Sequence, residues 1–160
     1  MPTNPPALAA TPAAPRADAA LRSFVGYNIK RVYIAIQADF LVTLDEFSLR
    51  ATTFSALTLI AAQPDMTQSQ LAAALSIERS GVVLIVDELE SRDLISRNKV
   101  PRDRRTYALR ATLAGVQMRD KAVERVQAHE HRMLAHLSNT EREELMRMLS
   151  LIEGTIGAAP

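Results

Sequence analysis

Six basic side chains crowd into one short stretch of this 160-residue chain: Arg97, Lys99, Arg102, Arg104, Arg105 and Arg110, with Asp103 the one acid among them. The stretch carries +5 in a protein whose total is +1, so the remainder is mildly acidic at −4. A confined basic patch on an acidic body suits a polyanion, nucleic acid first, because each neutralised phosphate releases counterions. A solvated basic loop is the competing reading. Other chemistry is sparse. His129, His131 and His136 are spaced by two and by five. Neither spacing sets two imidazoles on one helical face as i, i+4 does, so no metal is expected and a solvated or interface role is. There are no cysteines, which removes disulfides, thiolate metal sites and thiol redox sensing. No Gly-rich phosphate loop and no nucleophile–base pair stands out, so neither an enzyme nor a cofactor is expected.

The elements that position the basic stretch can be read around it. Thr67-Gln68-Ser69-Gln70 has the capping-box form, with Thr67 as N-cap and Gln70 reaching back. It starts a short helix with Leu71, Ala74 and Leu75 inward. After Ser76-Ile77-Glu78 a second helix runs from about Arg79 to Arg92, with Val82, Ile85, Val86 and Leu89 buried. Two short helices joined by so tight a turn resemble a helix-turn-helix. Leu94 to Asn98 and Arg105 to Leu109 read as strands, with Lys99 to Arg104 as the connecting loop, where Pro101 is at home.

Residues 1–17 are rich in Ala and Pro and cannot bury enough apolar surface to offset ordering, so a disordered tail is expected. From about Asp18 to Leu44 the stripe Leu21, Val25, Asn28, Val32, Ile36 and Phe40 predicts one helix of roughly 25 residues, about 37 Å long. A second helix is expected from Thr52 or Thr53 as N-cap, carrying Phe54, Leu57 and Ile60 and stopping before Pro64. Thr112 can cap a helix to about Leu137, with Val116, Val123, Val126 and Met133 on one side. Ser138-Asn139-Thr140-Glu141 is a second capping box and opens a last helix that Gly154 ends. No apolar run nears the ~20 residues of a membrane span, and no secretory signal opens the chain, so a cytoplasmic protein without a membrane partner is expected.

The order helix, helix, helix-turn-helix, wing, long helix, final helix resembles the MarR family of bacterial transcriptional regulators. The likeness runs from about Leu21 to Glu153. Its most specific part is Asp103-Arg104-Arg105, then Leu109, Thr112 and Gly115. Val86-Asp87-x-Leu89-Glu90-x-Arg92-x-Leu94-Ile95 and Thr67-Gln68-x-x-Leu71-Ala72 support it. Asp93 stands where the family usually has Gly at a left-handed helix C-cap. Ala111 stands where Leu is common. Val83 and Leu84 occupy positions that are often polar.

The resemblance implies a mainly α fold with a small β-hairpin wing. Residues 46–112 would form the winged helix-turn-helix, and 18–45 with 113–156 a helical dimerisation region. It implies a homodimeric repressor on a pseudo-palindromic double-stranded DNA operator, about one DNA turn between recognition helices. In the wing, Asp103 would orient an arginine, and Arg104 or Arg105 would enter the minor groove. The residues themselves agree. Amides at Gln68 and Ser69 suit a phosphate. Arg79, Ser80 and Gly81 open the recognition helix; Arg79 can read guanine or hold a phosphate. Val83 and Leu84 can meet thymine methyls. Arg97, Lys99 and Arg102 are expected at phosphates. A small effector, an aromatic acid or aromatic acyl-CoA, is implied, with Tyr27, Lys30, Arg31, Tyr33 and Phe54 as candidates beside the reading that they are core or solvated. Two other functions stay open: a ligand-independent architectural DNA-binding protein, and a winged-helix protein-interaction module.

Overall fold

Thr67 caps its helix as its spacing predicts. Its Oγ1 accepts from the Gln70 amide at 3.2 Å, and the Thr67 amide donates to Gln70 Oε1 at 2.8 Å. The computed structural model that shows this describes residues 17–100 and 103–157, with side chains for residues 17–99 and 107–154. Nearly all of the expected N-terminal tail, together with Pro101 and Arg102, lies outside the described residues. The described chain is mostly helical with one small antiparallel sheet. A 3-10 turn, Ala19–Leu21, precedes α1 (Val25–Asp45) and α2 (Ala51–Ala62). Strand β1 (Met66–Thr67), α3 (Gln68–Leu75), α4 (Arg79–Ser91), β2 (Ile95–Val100) and β3 (Asp103–Ala111) follow, then α5 (Leu113–Met133) and α6 (Asn139–Gly157). The sheet order is β1-β3-β2. The chain divides into two compact units, residues 1–35 and residues 36–160.

In the first unit the expected single helix is broken. Asn28 Nδ2 donates to the carbonyls of Arg22 and Phe24 at 2.8 and 2.9 Å, so α1 begins only at Val25. Leu21, Phe24, Val25, Ile29, Val32, Tyr33 and Ile34 are all exposed.

In the second unit one device ends three helices. The amides of Leu49, Ile77 and Leu94 donate back to the carbonyls of Leu44, Ala72 and Leu89 at 3.2, 3.1 and 3.0 Å. The residue before each, Ser48, Ser76 and Asp93, has a φ of 51°, 52° and 55°. These are Schellman closures with a non-glycine residue in the left-handed position. Each tucks an apolar side chain, Leu49, Ile77 or Leu94, against the core. Asp93→Gly removes the Cβ strain there while keeping the carbonyl that accepts from Thr112 Oγ1 at 2.6 Å. It is expected to stabilise the fold by about 1 kcal/mol in urea denaturation; an unchanged or lower midpoint would show that Asp93 is not strained.

Leu44, Leu57, Ile60, Leu71, Val82, Val86, Leu89, Leu94, Ile95 and Leu109 form the core that holds the two short helices under the sheet. Several expectations are corrected. Helix α2 starts at Ala51, and Thr53 sits inside its first turn. The Thr53 hydroxyl, buried, accepts from the Arg50 amide at 2.8 Å instead of capping from outside. On α3 the buried small residue is Ala72, whereas Ala74 is exposed, because the eight-residue helix turns Leu71 and Ala72 inward together. Helix α5 stops at Met133 and buries Gly115, Ala122 and His129. The stripe Val116, Val123, Val126 and Met133 is only half-buried. Helix α6 runs past Gly154 to Gly157, since that glycine keeps helical backbone. Its capping box forms: the Ser138 hydroxyl donates to Glu141 Oε2 at 2.7 Å and the Ser138 amide at 2.8 Å, and together they hold the Glu141 carboxyl below its usual range. The two-residue strand β1 was not foreseen; it pairs Met66 with Leu109 and Thr67 with Ala108. Among the described residues no single helix is long and apolar enough to cross a membrane.

Candidate nucleic-acid interface

Helices α3 and α4 turn through 111°, within the range of a helix-turn-helix. Burial splits α4 cleanly. Val82, Ile85, Val86 and Leu89 are buried, which leaves Ser80, Val83, Leu84 and Asp87 on the outer face. Leu84 is 68% exposed and Val83 42%. Two apolar side chains held outward between polar ones find no use inside the described chain. Arg79 Nη2 donates to Ser69 Oγ at 2.7 Å, joining the starts of α3 and α4. Gln68 and Ser69 open α3 beside them, so five predicted residues, Gln68, Ser69, Arg79, Ser80 and Gly81, fall on the first turns of two neighbouring helices. A Cβ on Gly81 would meet only Ile77 Cδ1, at 3.9 Å. Packing within the chain therefore does not demand a glycine there.

The wing is longer than the sequence indicates. Its ladder runs from Ile95 opposite Ala111 to Lys99 opposite Tyr107. The register then shifts, and Val100 opposes Asp103. The extra residues on β3 are Arg104, Arg105 and Thr106, so the expected loop from Lys99 to Arg104 is largely strand with an irregularity. Such an insertion bends its strand and commonly re-aims a functional segment. The side chains of Asp103, Arg104 and Arg105 and all of Arg102 lie outside the described residues. Lys99 is exposed.

Among the described side chains of the stretch, Arg97 and Arg110 are already paired. Arg110 meets Asp65 through two bonds of 2.6 and 2.7 Å. The guanidinium holds the Asp65 carboxyl below the usual range, and the carboxylate raises Arg110 in return. Whatever this exposed pair adds is present above the ordinary carboxylate range and is lost as pH falls through the depressed value. Arg97 binds Asp87 and also Glu90, the latter at 3.0 Å. Arg97, Asp87 and Glu90 line an open cleft between α4 and the wing, together with Gln68, Val83 and Tyr107. Tyr107 escaped the sequence reading; an aromatic between the basic residues Arg105 and Arg110 was the signal available.

The effector candidates fall in both units, Tyr27, Lys30, Arg31 and Tyr33 in the first and Phe54 in the second. In the first unit the Tyr27 hydroxyl donates to Asp18 Oδ2 at 2.8 Å, with the Arg22 guanidinium 5.5 Å from its ring. The Tyr27 hydrogen bond, aided by Arg22, lowers the Asp18 carboxyl, and the same bond raises the Tyr27 phenol. Lys30, Arg31 and Tyr33 are exposed. In the second unit Phe54 stacks edge-on against Phe40, at 5.9 Å and 76°. Of the solvated or interface role expected for the histidines, the solvated one does not hold for His129: it is 1% exposed on α5 with Nδ1 2.6 Å from Asp39 Oδ2. Among the described residues no cluster of three metal-ligating side chains occurs.

The sequence model of the MarR family matches residues 49–107, from the start of α2 into the wing. A protein named as transcriptional regulator for the hcr operon of Thauera aromatica is 33% identical over 126 residues, which span 78% of this chain and 76% of that one. This chain belongs to the MarR family. It is therefore a DNA-binding transcriptional regulator of winged-helix architecture. Among solved structures of MarR-type regulators, the repressor CouR bound to a 23-mer DNA duplex matches 85% of this chain and 96% of its own at 33% identity, with a TM-score of 0.80. CouR from Rhodococcus jostii RHA1 bound to p-coumaroyl-CoA matches 82% of this chain and 93% of its own at 31% identity, with a TM-score of 0.74. The MarR-family signature now has a physical reason at two points. Thr112 Oγ1 accepts from the Gly115 amide at 3.0 Å. At Gly115 a Cβ would stand 1.9 Å from the Leu94 carbonyl oxygen.

Proposed function

We propose that this MarR-family regulator is a dimeric, cytoplasmic repressor that leaves a pseudo-palindromic operator when an aromatic acid or its CoA thioester binds. The observation that carries the DNA half is the outward face of α4, Ser80, Val83 and Leu84, set beside the wing in a chain 33% identical to a repressor solved on DNA. Arg79, positioned by Ser69, reads a base edge or anchors a phosphate; Val83 and Leu84 meet thymine methyls. The amides of Gln68 and Ser69, with Lys99 and Arg102, hold backbone phosphates. Gly81 lets the duplex approach closely, and Asp103 steers Arg104 or Arg105 into the minor groove. Footprinting on the chain's own promoter tests this. Two protected half-sites about 10 base pairs apart, centre to centre, are expected; scattered or absent protection refutes it.

Dimerisation is supported by apolar side chains left in solvent at both ends of the sequence. Phe24, Val25, Val32 and Tyr33 project from the N-terminal segment, and Met146, Leu149 and Ile152 follow one stripe on α6. Residues 18–45 and 113–156 are the proposed dimerisation region, with 46–112 the DNA-binding part. The effector class is supported by the CouR relative solved with p-coumaroyl-CoA and by the aromatic and basic side chains Tyr27, Lys30, Arg31, Tyr33 and Phe54. In a thermal-shift panel an aromatic acyl-CoA at 100 times its dissociation constant is expected to stabilise the protein by about 2.7 kcal/mol and to release DNA in the same range. If neither aromatic acids nor their CoA esters shift melting or DNA binding, the reading becomes a ligand-independent DNA-binding protein.

A further inference from the structure

A helix that faces DNA is a poor place for carboxylates, yet α4 carries Asp87 and Glu90 beside the wing, 54% and 40% exposed at their side chains. One side chain from the wing answers both. Arg97 stands on β2 opposite Leu109, and strand alternation puts it on the same face as Ile95. Ile95 and Leu109 are fully buried, so Arg97 projects from the core face of the hairpin. Its side chain is 23% exposed, its Nε is buried, and its two terminal nitrogens go to different carboxylates, Nη2 to Asp87 and Nη1 to Glu90. The carboxylates are three residues apart on one helical face, a spacing a single planar guanidinium can bridge.

We propose that Arg97 is a positioning residue, not a phosphate contact: it locks the wing onto the recognition helix and neutralises Asp87 and Glu90 where DNA phosphates would meet them. The proposal rests on the DNA-binding reading for its purpose, but the lock itself exists without DNA. A wing so tied keeps a fixed angle to α4, and that angle decides whether minor-groove and major-groove contacts form together. Losing Arg97 frees the hairpin and exposes two negative charges to the duplex.

Two measurements on the full chain separate the possibilities. Without DNA, Arg97→Ala is expected to speed amide exchange across residues 96–107 while the melting temperature stays unchanged. Asp87→Asn with Glu90→Gln is expected to speed the same amides, and the triple variant to be no faster than either. With DNA, the duplex being the footprinted promoter site, Arg97→Ala is expected to lower affinity about tenfold, the scale of one lost specific contact, with the salt slope unchanged. Arg97→Lys, which keeps the charge and reaches one carboxylate, is expected to recover part of the loss. Unchanged exchange together with a salt slope lower by about 0.9 makes Arg97 a phosphate contact and overturns the proposal. Should the wild type bind no duplex, the exchange data still decide the lock, and only the DNA-binding reading fails.

Discussion

Gly115→Ala is expected to destabilise the fold by about 3 kcal/mol. That combines the cost of overpacking with the loss of one backbone hydrogen bond. A Cβ at this position would lie 1.9 Å from the Leu94 oxygen, 2.8 Å from its carbonyl carbon and 3.2 Å from its Cα. All three are backbone atoms, so no side chain can rotate away. The Leu94 oxygen also accepts from the Thr112 amide at 3.0 Å, so relief requires the start of α5 to withdraw from Leu94, the residue that leads into β2. That motion breaks this bond, loosens the Thr112 cap and opens the core beside Leu94. Urea denaturation measures the effect. Gly154→Ala is the control: it lies in α6 with nothing within 4 Å of its Cβ position, and alanine there is expected to stabilise by about 0.5–1 kcal/mol. Equal, small effects at both sites would show that Gly115 and Leu94 do not meet as described.

Arg104→Ala is expected to cost about 1–3 kcal/mol of operator affinity and to reduce the salt slope, with no change in melting temperature. Of the six basic residues between 97 and 110, Arg97 and Arg110 are paired with Asp87, Glu90 and Asp65. By sequence the other basic residues of the stretch are Lys99, Arg102, Arg104 and Arg105, beside the one acid Asp103, and these are the charges proposed to meet DNA. Arg104 and Arg105 are also the residues inserted where the hairpin register shifts. An arginine carried on such a bend suits a narrow minor groove, where its flat, weakly hydrated head meets enhanced negative potential. Gel-shift titration over a salt series checks the prediction; unchanged affinity and slope would remove Arg104 from the interface.

Local patterns were legible wherever they answered local physics. Thr67, Thr112 and Ser138 cap the helices they precede, because a cap is decided within four residues. The buried face of α4 followed from apolar spacing alone. Asp93 takes the left-handed position that the family's glycine would hold. What the sequence concealed depends on partners distant in the chain. Strand β1 exists only because Met66 and Thr67 meet Leu109 and Ala108. The inward face of α5 is set by the close approach at Gly115, which selects Ala122 and His129 over the more hydrophobic Val116 and Val123. The carboxylate partners of Arg97 lie on another element, so its pairing could not be read along the chain. Counting charge along a sequence overstates a patch whenever the fold supplies counter-charges from elsewhere.

Helix α4 and the wing are proposed to read a particular DNA sequence. Fluorescence anisotropy with the full chain at ~150 mM salt tests it most directly, comparing the footprinted promoter duplex with a scrambled duplex of equal length and composition. The promoter site is expected to bind on the order of a thousandfold more tightly or better. Equal affinities for the two duplexes would contradict it.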